Sequence, residues 1–337
     1  MSVKRKVITE IVAFVLFAAA VIGFIRVSAA VIRPKNADYG TDWSSFLAED
    51  KNSIDVLFFG SSMVYCDVVP SAIWRQSGIT SYVVGGGEQT LPMSYYYIRQ
   101  ALKTQKPQAV FLELSGMFFD RYTNYEEANI GYMPWSLERT KAALEAASPA
   151  RRVFLAACPP SLLTIIKQHY RLPNLTADDL RFAFRPDVHQ AGYTFLSKAA
   201  SDVTEIRTRP TPLVEKNYAV ALEYLRKIED FCRQEEVALY CFISPSAYRY
   251  SETLMSRLRA DAEFINFNDD FDSLGLDLSR DFFDSLHFNC FGAEKFSAFL
   301  AQKLPELGIV PSDPDRSDGV WTERSAQFVS KVDSVSQ

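Results

Sequence analysis

Two short runs far apart in the chain carry the residues best suited to chemistry: Phe59-Gly60-Ser61-Ser62 and Phe283-Asp284-Ser285-Leu286-His287-Phe288-Asn289. A hydroxyl is a weak nucleophile until a neighbouring base takes its proton, and that base needs a third group to fix its tautomer and orientation. The first run supplies hydroxyls. The second supplies a carboxylate and an imidazole three residues apart, a spacing that a turn or helix brings to one face. Together they hold the parts of a Ser-His-Asp relay, with Asp284 gripping Nδ1–H of His287 while Nε2 faces a serine. Gly60 permits a tight strand-to-helix turn that leaves the next hydroxyls at a helix start, where backbone N–H groups can receive an oxyanion. The residues alone do not separate Ser61 from Ser62, and serine is also a common helix cap. Asp281 is the rival carboxylate, six residues from His287. The chain has three histidines, and His169 and His189 lack comparable neighbours.

Gly85-Gly86-Gly87 reads as a turn, or as a place where backbone approaches a substrate and offers N–H donors. It is not a phosphate loop, because no Gly-Lys-Ser/Thr follows and no Gly-x-Gly-x-x-Gly is completed. The acidic run from Asn266 to Asp272 lacks the turn glycine and distal glutamate of a calcium loop and reads as a solvated loop. Five cysteines fit no Cys-x-x-Cys pattern, so no metal is expected, and nothing calls for a cofactor. Cys232 and Cys241 could be bridged in an oxidising compartment, or Cys241 could stay a free thiol in its apolar strand. Cys66 and Cys290 would pack beside the candidate relay.

The elements that must position these residues are legible from the hydrophobic pattern. Short apolar runs at 54–59, 81–84, 109–114, 237–243 and 264–267 read as strands, and 91–103, 215–236 and 293–304 as helices. Short continuous strands alternating with helices predict an α/β fold with a parallel sheet covered on both faces. Ligands of such sheets sit outside the carboxyl ends of the strands. The serines, the glycine triplet and the segment after Leu114 all follow strand ends, so they should share one rim. Residues 118–211 break the alternation and read as an insertion, helical at 136–147 and 161–171. Residues 31–50 read as a polar linker and 311–337 as a loose tail, leaving 51–310 as the folded domain.

The N-terminus differs in kind. Lys4, Arg5 and Lys6 precede an apolar stretch at 7–25, closed by Arg26. Nineteen helical residues span roughly 28 Å, about a bilayer core. The basic cluster predicts a cytoplasmic stub and single-pass anchor within 1–30, with the remaining chain extracytoplasmic. A cleaved signal peptide is the alternative, since Val27-Ser28-Ala29 is a usable small-residue site. A hydrophobic share of 48% is ample for a core, and a net charge of −5 gives no footprint for nucleic acid.

Taken in order, strand-Gly-Ser-Ser, strand-Gly-Gly-Gly and Asp-x-x-His-x-Asn resemble the SGNH (GDSL-like) hydrolase superfamily, over about 51–305 without the insertion. The resemblance implies a three-layer α/β/α, flavodoxin-like sheet and a serine esterase or O-acyltransferase. It selects Ser62 as nucleophile, with His287 as base and Asp284 as acid, and Gly85 and Gly87 as the best matches to the oxyanion glycine. Where the family's third block carries an asparagine, this chain has Glu113-Leu114-Ser115-Gly116; Val83 also stands where relatives often carry asparagine. The pattern is most similar to membrane-anchored DltD-like and alginate-acetylation-like members. These imply an acylated glycan or cell-wall polymer as substrate and a membrane-bound O-acyltransferase as partner. A non-catalytic accessory or polymer-binding protein on the same scaffold is the other function this pattern allows.

Overall fold

The structure, a computed structural model, describes residues 3–33, 43–184, 189–313 and 319–336. Five strands build the main sheet: β1 (Val56–Gly60), β2 (Ser81–Gly85), β3 (Ala109–Glu113), β4 (Ala238–Ile243) and β5 (Ile265–Asn266). They lie parallel in the order β2-β1-β3-β4-β5, one of the two common orders of doubly wound sheets. The register aligns Gly60 with Gly85 and Val56 with Ala109, so β1 and β2 end level with one another. A separate pairing of two residues each joins Arg207–Thr208 to Tyr248–Arg249.

The helices, in chain order, begin with α1 (Val3–Ile32), α2 (Trp43–Leu47), α3 (Ser62–Tyr65), α4 (Pro70–Ser77) and α5 (Leu91–Ala101). Next come α6 (Glu126–Gly131), α7 (Leu137–Glu145), α8 (Arg152–Ala157), α9 (Pro160–Gln168) and α10 (Ala177–Phe184). The last are α11 (Glu215–Gln234), α12 (Glu252–Asp261), α13 (Cys290–Glu306) and α14 (Gly319–Ser336). Proline stands at the start of α4, α5 and α9, where its missing N–H costs nothing. Gly78 ends α4 in the left-handed region at φ 72°, as a C-terminal cap requires.

Alternate strand residues feed two cores. Leu57, Phe59, Val110 and Leu112 point to one, with Phe46 of α2, Ile98 of α5 and Leu225 of α11. Val56, Phe58, Ala109 and Phe111 point to the other, with Ile73 of α4, Phe296 of α13 and Phe328 of α14. Burial on both faces is why these strands are continuously apolar rather than alternating. Each fully buried Phe contributes roughly 1.5–3 kcal/mol, so the sheet is a stiff platform for whatever stands at its rim.

The chain separates into two compact units, Met1–Asn36 with Ala157–Asp187, and Ala37–Ala156 with Val188–Gln337. In the first, α1 is long and apolar enough to cross a membrane: Lys4–Ile32 has a mean hydropathy of 2.5 in its most apolar window, none of it buried. A signal sequence would share that character. The same unit holds α9 and α10, and Arg171 between them donates to Ile32 O and, at 2.9 Å, to Asp179.

Three sequence expectations are corrected. The segment 311–337 is not a loose tail: α14 buries Trp321 and Phe328, and Trp321 stacks on Trp74 at 6.4 Å. Its Ser-rich composition hid the apolar spacing Trp321, Phe328, Val332 on one helical face. The linker 31–50 is only partly a linker, because α1 continues to Ile32 and α2 buries Trp43 and Phe46 in the sheet unit's core; residues 34–42 lie outside the described residues. The insertion is not one body, since 157–187 groups with α1 while its two arms, 118–156 and 188–211, belong to the sheet unit. One arm seals the sheet edge, with Ala191 O accepting from Val83 N at 2.9 Å.

Candidate active site

The turn that carries the two serines is dictated by Gly60. A Cβ there would come within 2.6 Å of Val64 and 2.7 Å of Glu113 at a φ of +156°, so no other residue fits between β1 and α3. The turn sends the next two serines in different directions. Ser61 is buried, accepts from Met63 N at 3.4 Å and donates to Glu113 Oε2 at 3.5 Å. Ser62 is half-buried, and its Oγ lies 2.7 Å from His287 Nε2.

The segment bearing His287 is a tight antiparallel turn pinned by the Phe282–Phe288 bridge, with both rings fully buried. Inside it, Asp284 Oδ1 accepts from Leu286 N at 2.8 Å and from His287 N at 2.9 Å, and Oδ2 lies 2.9 Å from His287 Nδ1. A carboxylate at Nδ1 requires the proton there, leaving Nε2 as acceptor for the Ser62 hydroxyl. Ser62, His287 and Asp284 therefore stand in one continuous hydrogen-bonded line.

The electrostatics suit a base. Burial alone would lower the His287 pKa, but the hydrogen bond and charge of Asp284, with the charge of Asp67, outweigh it and raise it above 6.5. Burial would raise the Asp284 carboxyl, yet the hydrogen bond and charge of His287 and the two turn amides hold it below its ordinary value of 3.8. Cys66 and Cys290 are poor nucleophiles. Burial and Asp67 push the first well above 9, and burial pushes the second to about 11. All five cysteines are free and buried.

Asp281 goes elsewhere: it is fully buried, pairs with Lys295 Nζ at 2.6 Å and accepts from Asp277 N at 2.7 Å. Asn289 is structural, capping α13 through Phe291 N at 3.0 Å and holding Arg280 O at 2.6 Å. His189 pairs with Glu49 at 3.1 Å, and His169 Nδ1 meets Ile166 O at 2.8 Å.

No protein-family model matches the chain, and no curated protein matches its sequence. The case for chemistry rests on geometry.

Gly85 and Gly87 stand at the same rim as Ser62. Gly86 N donates to Gly60 O at 3.2 Å, which ties the triplet to the turn that carries Ser62. Gly87 O accepts from Asn129 Nδ2 of α6 at 2.8 Å, and the Tyr125 ring lies where a Cβ on Gly87 would sit. No asparagine follows β3; Ser115 there turns inward, its hydroxyl donating to Glu113 Oε1 at 2.6 Å.

Sequence reasoning missed two buried acids. Glu113, beneath the Gly60 turn, is pushed up to about 7 by burial despite bonds from Ser115 and Ser61. Asp67, accepting from Phe288 N at 3.0 Å and Ser244 Oγ at 2.9 Å, is pushed up to about 8 by burial. Both are single charges inside apolar runs, which was the available signal. Asn129 gave none, since only the fold carries the insertion over the glycines. Two cavities adjoin the rim: one of about 150 Å³ reaches Met63 and Leu286, the chain neighbours of Ser62 and His287, and one of about 530 Å³ reaches Glu88 beside the triplet.

Proposed function

We propose that this chain is a membrane-tethered, extracytoplasmic serine esterase or O-acyltransferase of SGNH type, acting on an acylated cell-surface polysaccharide or cell-wall polymer. The observation that carries the reading is the line Ser62 Oγ, His287 Nε2 and Nδ1, Asp284, with both hydrogen bonds at 3.0 Å or less. Ser62 Oγ attacks the acyl carbonyl while His287 Nε2 takes its proton. The carbonyl oxygen becomes an oxyanion, received by the Ser62 amide with the N–H of Gly85 or Gly87. Its collapse breaks the ester bond, and His287 returns the proton to the leaving alcohol. Asp284 stabilises the imidazolium without taking its proton. Water, or a sugar hydroxyl in transfer, then attacks the acyl-enzyme with His287 again as base. The apolar α1 supports the anchor, and a membrane-bound O-acyltransferase fits as the source of acyl groups.

The experiment is to incubate the protein with a small acetyl ester, quench in acid and look by mass spectrometry for one acetyl group on the Ser62 peptide. Its appearance in wild type and its loss in Ser62→Ala is the expected result. A specific observation favours a second reading, an accessory or polymer-binding protein: β3 sends Ser115 into Glu113 and supplies no side-chain donor to the oxyanion. Absence of acyl-enzyme with every ester tried, from a folded protein, would establish it.

A further inference from the structure

Arg209 sits where the two cavities meet and lines both. Its backbone is fixed by the short strand pairing, Arg209 N donating to Arg249 O at 2.6 Å and Arg207 N to Ala247 O at 2.7 Å. Its guanidinium lies over the Tyr250 ring, 5.6 Å from the centroid, and among the described residues it makes no hydrogen bond or ion pair. Five N–H donors are thus oriented by stacking and left uncommitted. A buried group nearby shares that state: among the described residues Thr211 Oγ1 has no hydrogen-bond partner. Buried polar atoms without partners are few in folded proteins and call for an explanation.

The charges around the smaller cavity decide what would satisfy them. Arg209, Arg249 and Arg259 face Glu252 and Asp269 there. Arg259 is consumed by Glu252 at 2.5 Å, and Asp269 accepts from Asn266 Nδ2 at 2.8 Å. Arg249 spends one donor on Ser246 O at 3.3 Å and lies over the Phe271 ring. Arg249 also faces the charges of Asp269 and Asp272, so Arg209 is the guanidinium left to receive an anion next to Met63 and Leu286, with Arg249 beside it. The larger cavity is different. Its lining sets two carboxylates, Glu88 and Asp120, against Arg209 alone, with Asp120 accepting from Asn217 Nδ2 at 3.0 Å, so it does not favour an anion. Phe119 and Tyr122, both partly exposed, give that cavity aromatic lining suited to a sugar ring, while Phe118 and Tyr218 stack on each other behind it.

We propose that the smaller cavity receives an anionic substituent of the substrate, a carboxylate or a phosphate ester, on Arg209 with Arg249 beside it, while the sugar ring that bears it lies in the larger cavity against Phe119 and Tyr122. The proposal rests on the acyl-transfer reading for the word substrate, but binding tests it without turnover. The full chain in neutral detergent is titrated calorimetrically with glucuronate, glucose 6-phosphate and glucose. Charge-assisted hydrogen bonds are about twice as strong as neutral ones, so at least one anionic sugar binds tenfold or more tighter than glucose. Which one binds distinguishes carboxylate from phosphate. Arg209→Gln removes that margin, and raising salt shrinks it.

Because the guanidinium makes no protein hydrogen bond, Arg209→Gln keeps the wild-type circular dichroism; should it not fold, Arg249→Gln takes its place in the titration. Equal affinity for glucose and both anions, no binding of either anion at low millimolar concentration, or an unchanged margin in the folded variant would overturn the proposal. The two readings fail separately. A charge preference with Ser62 never acylated sinks the acyl-transfer reading and leaves the receptor, whereas acylated Ser62 with no charge preference does the reverse.

Discussion

Ser61 and Ser62 are adjacent, identical in chemistry and set to different work by one glycine. Ser61 turns under the sheet rim and meets the buried carboxylate of Glu113 directly. Ser62 turns outward and meets a carboxylate only through an imidazole. Ser61 is buried with its hydroxyl committed to Glu113, out of reach of a substrate, so that hydrogen bond is structural. A hydroxyl against a histidine held by a carboxylate has a base poised near neutral pH. The difference lies in what stands between hydroxyl and acid, and that depends on the backbone direction after Gly60.

The largest effect that sharpens this contrast is the loss of Ser62. Ser62→Ala should lower kcat on an acetyl ester by several orders of magnitude, on the order of 10⁶, with an unchanged melting temperature. An activity loss of similar size in Ser61→Ala would break the comparison outright.

The two aspartates of the histidine turn form the next pair. Asp284→Asn puts an amide against Nδ1 and favours the wrong tautomer, so turnover should fall by about 10⁴-fold while the fold survives. Asp281→Asn should leave turnover near wild type and lower stability instead, by about 1 kcal/mol, because it removes the ion pair with Lys295, whose ammonium is itself partly exposed to water. Steady-state kinetics and urea unfolding of both variants separate the roles; the reverse pattern would move the catalytic acid to Asp281.

Glu113 gives a subtler test. Its folded-state pKa is raised from 4.5 to about 7, so the folded chain holds the proton more tightly than the unfolded one. The stability this contributes is full below the unfolded value and is lost as pH climbs through the folded one. Asp67 and His287, also raised, act in the same direction. Wild type should therefore lose stability from about pH 5 to about pH 8. Glu113→Gln, which mimics the neutral acid, should flatten part of that slope. Melting curves across the range would show it, and an identical slope in the variant would mean that Glu113 is ionised throughout.

Ser61→Ala should do least. It removes a long bond to Glu113 and a cap on α3, worth about 0.5–2 kcal/mol of stability, and changes kcat by no more than a few-fold. Unfolding midpoints and initial rates decide this.

How far the sequence reached follows the same physics. The strands β1, β2 and β3 were visible because both faces are buried, which makes them almost continuously apolar. The Asp284–His287 pair was visible because its partners are local. Ser62 was singled out only through resemblance, because the two hydroxyls differ in backbone direction and not in type. The helix α14 was hidden by composition, its buried Trp321 and Phe328 diluted among serines and charges. Trp43 and Phe46 were hidden by their short polar surroundings. Asn129 over Gly87, and Arg209 between the cavities, depend on how the insertion's arms return to the rim, which no local pattern records.

The central claim is that Ser62 is the one hydroxyl activated by His287. Labelling the full chain with a fluorophosphonate across a range of pH, then mapping the adduct by mass spectrometry, tests it most directly. The account predicts a single adduct on Ser62, absent in Ser62→Ala, forming faster as pH rises through a value above 6.5, the ordinary histidine value that His287 exceeds, because only the neutral imidazole accepts the serine proton. An adduct on Ser61, a rate indifferent to pH, or no adduct on a folded protein would contradict it.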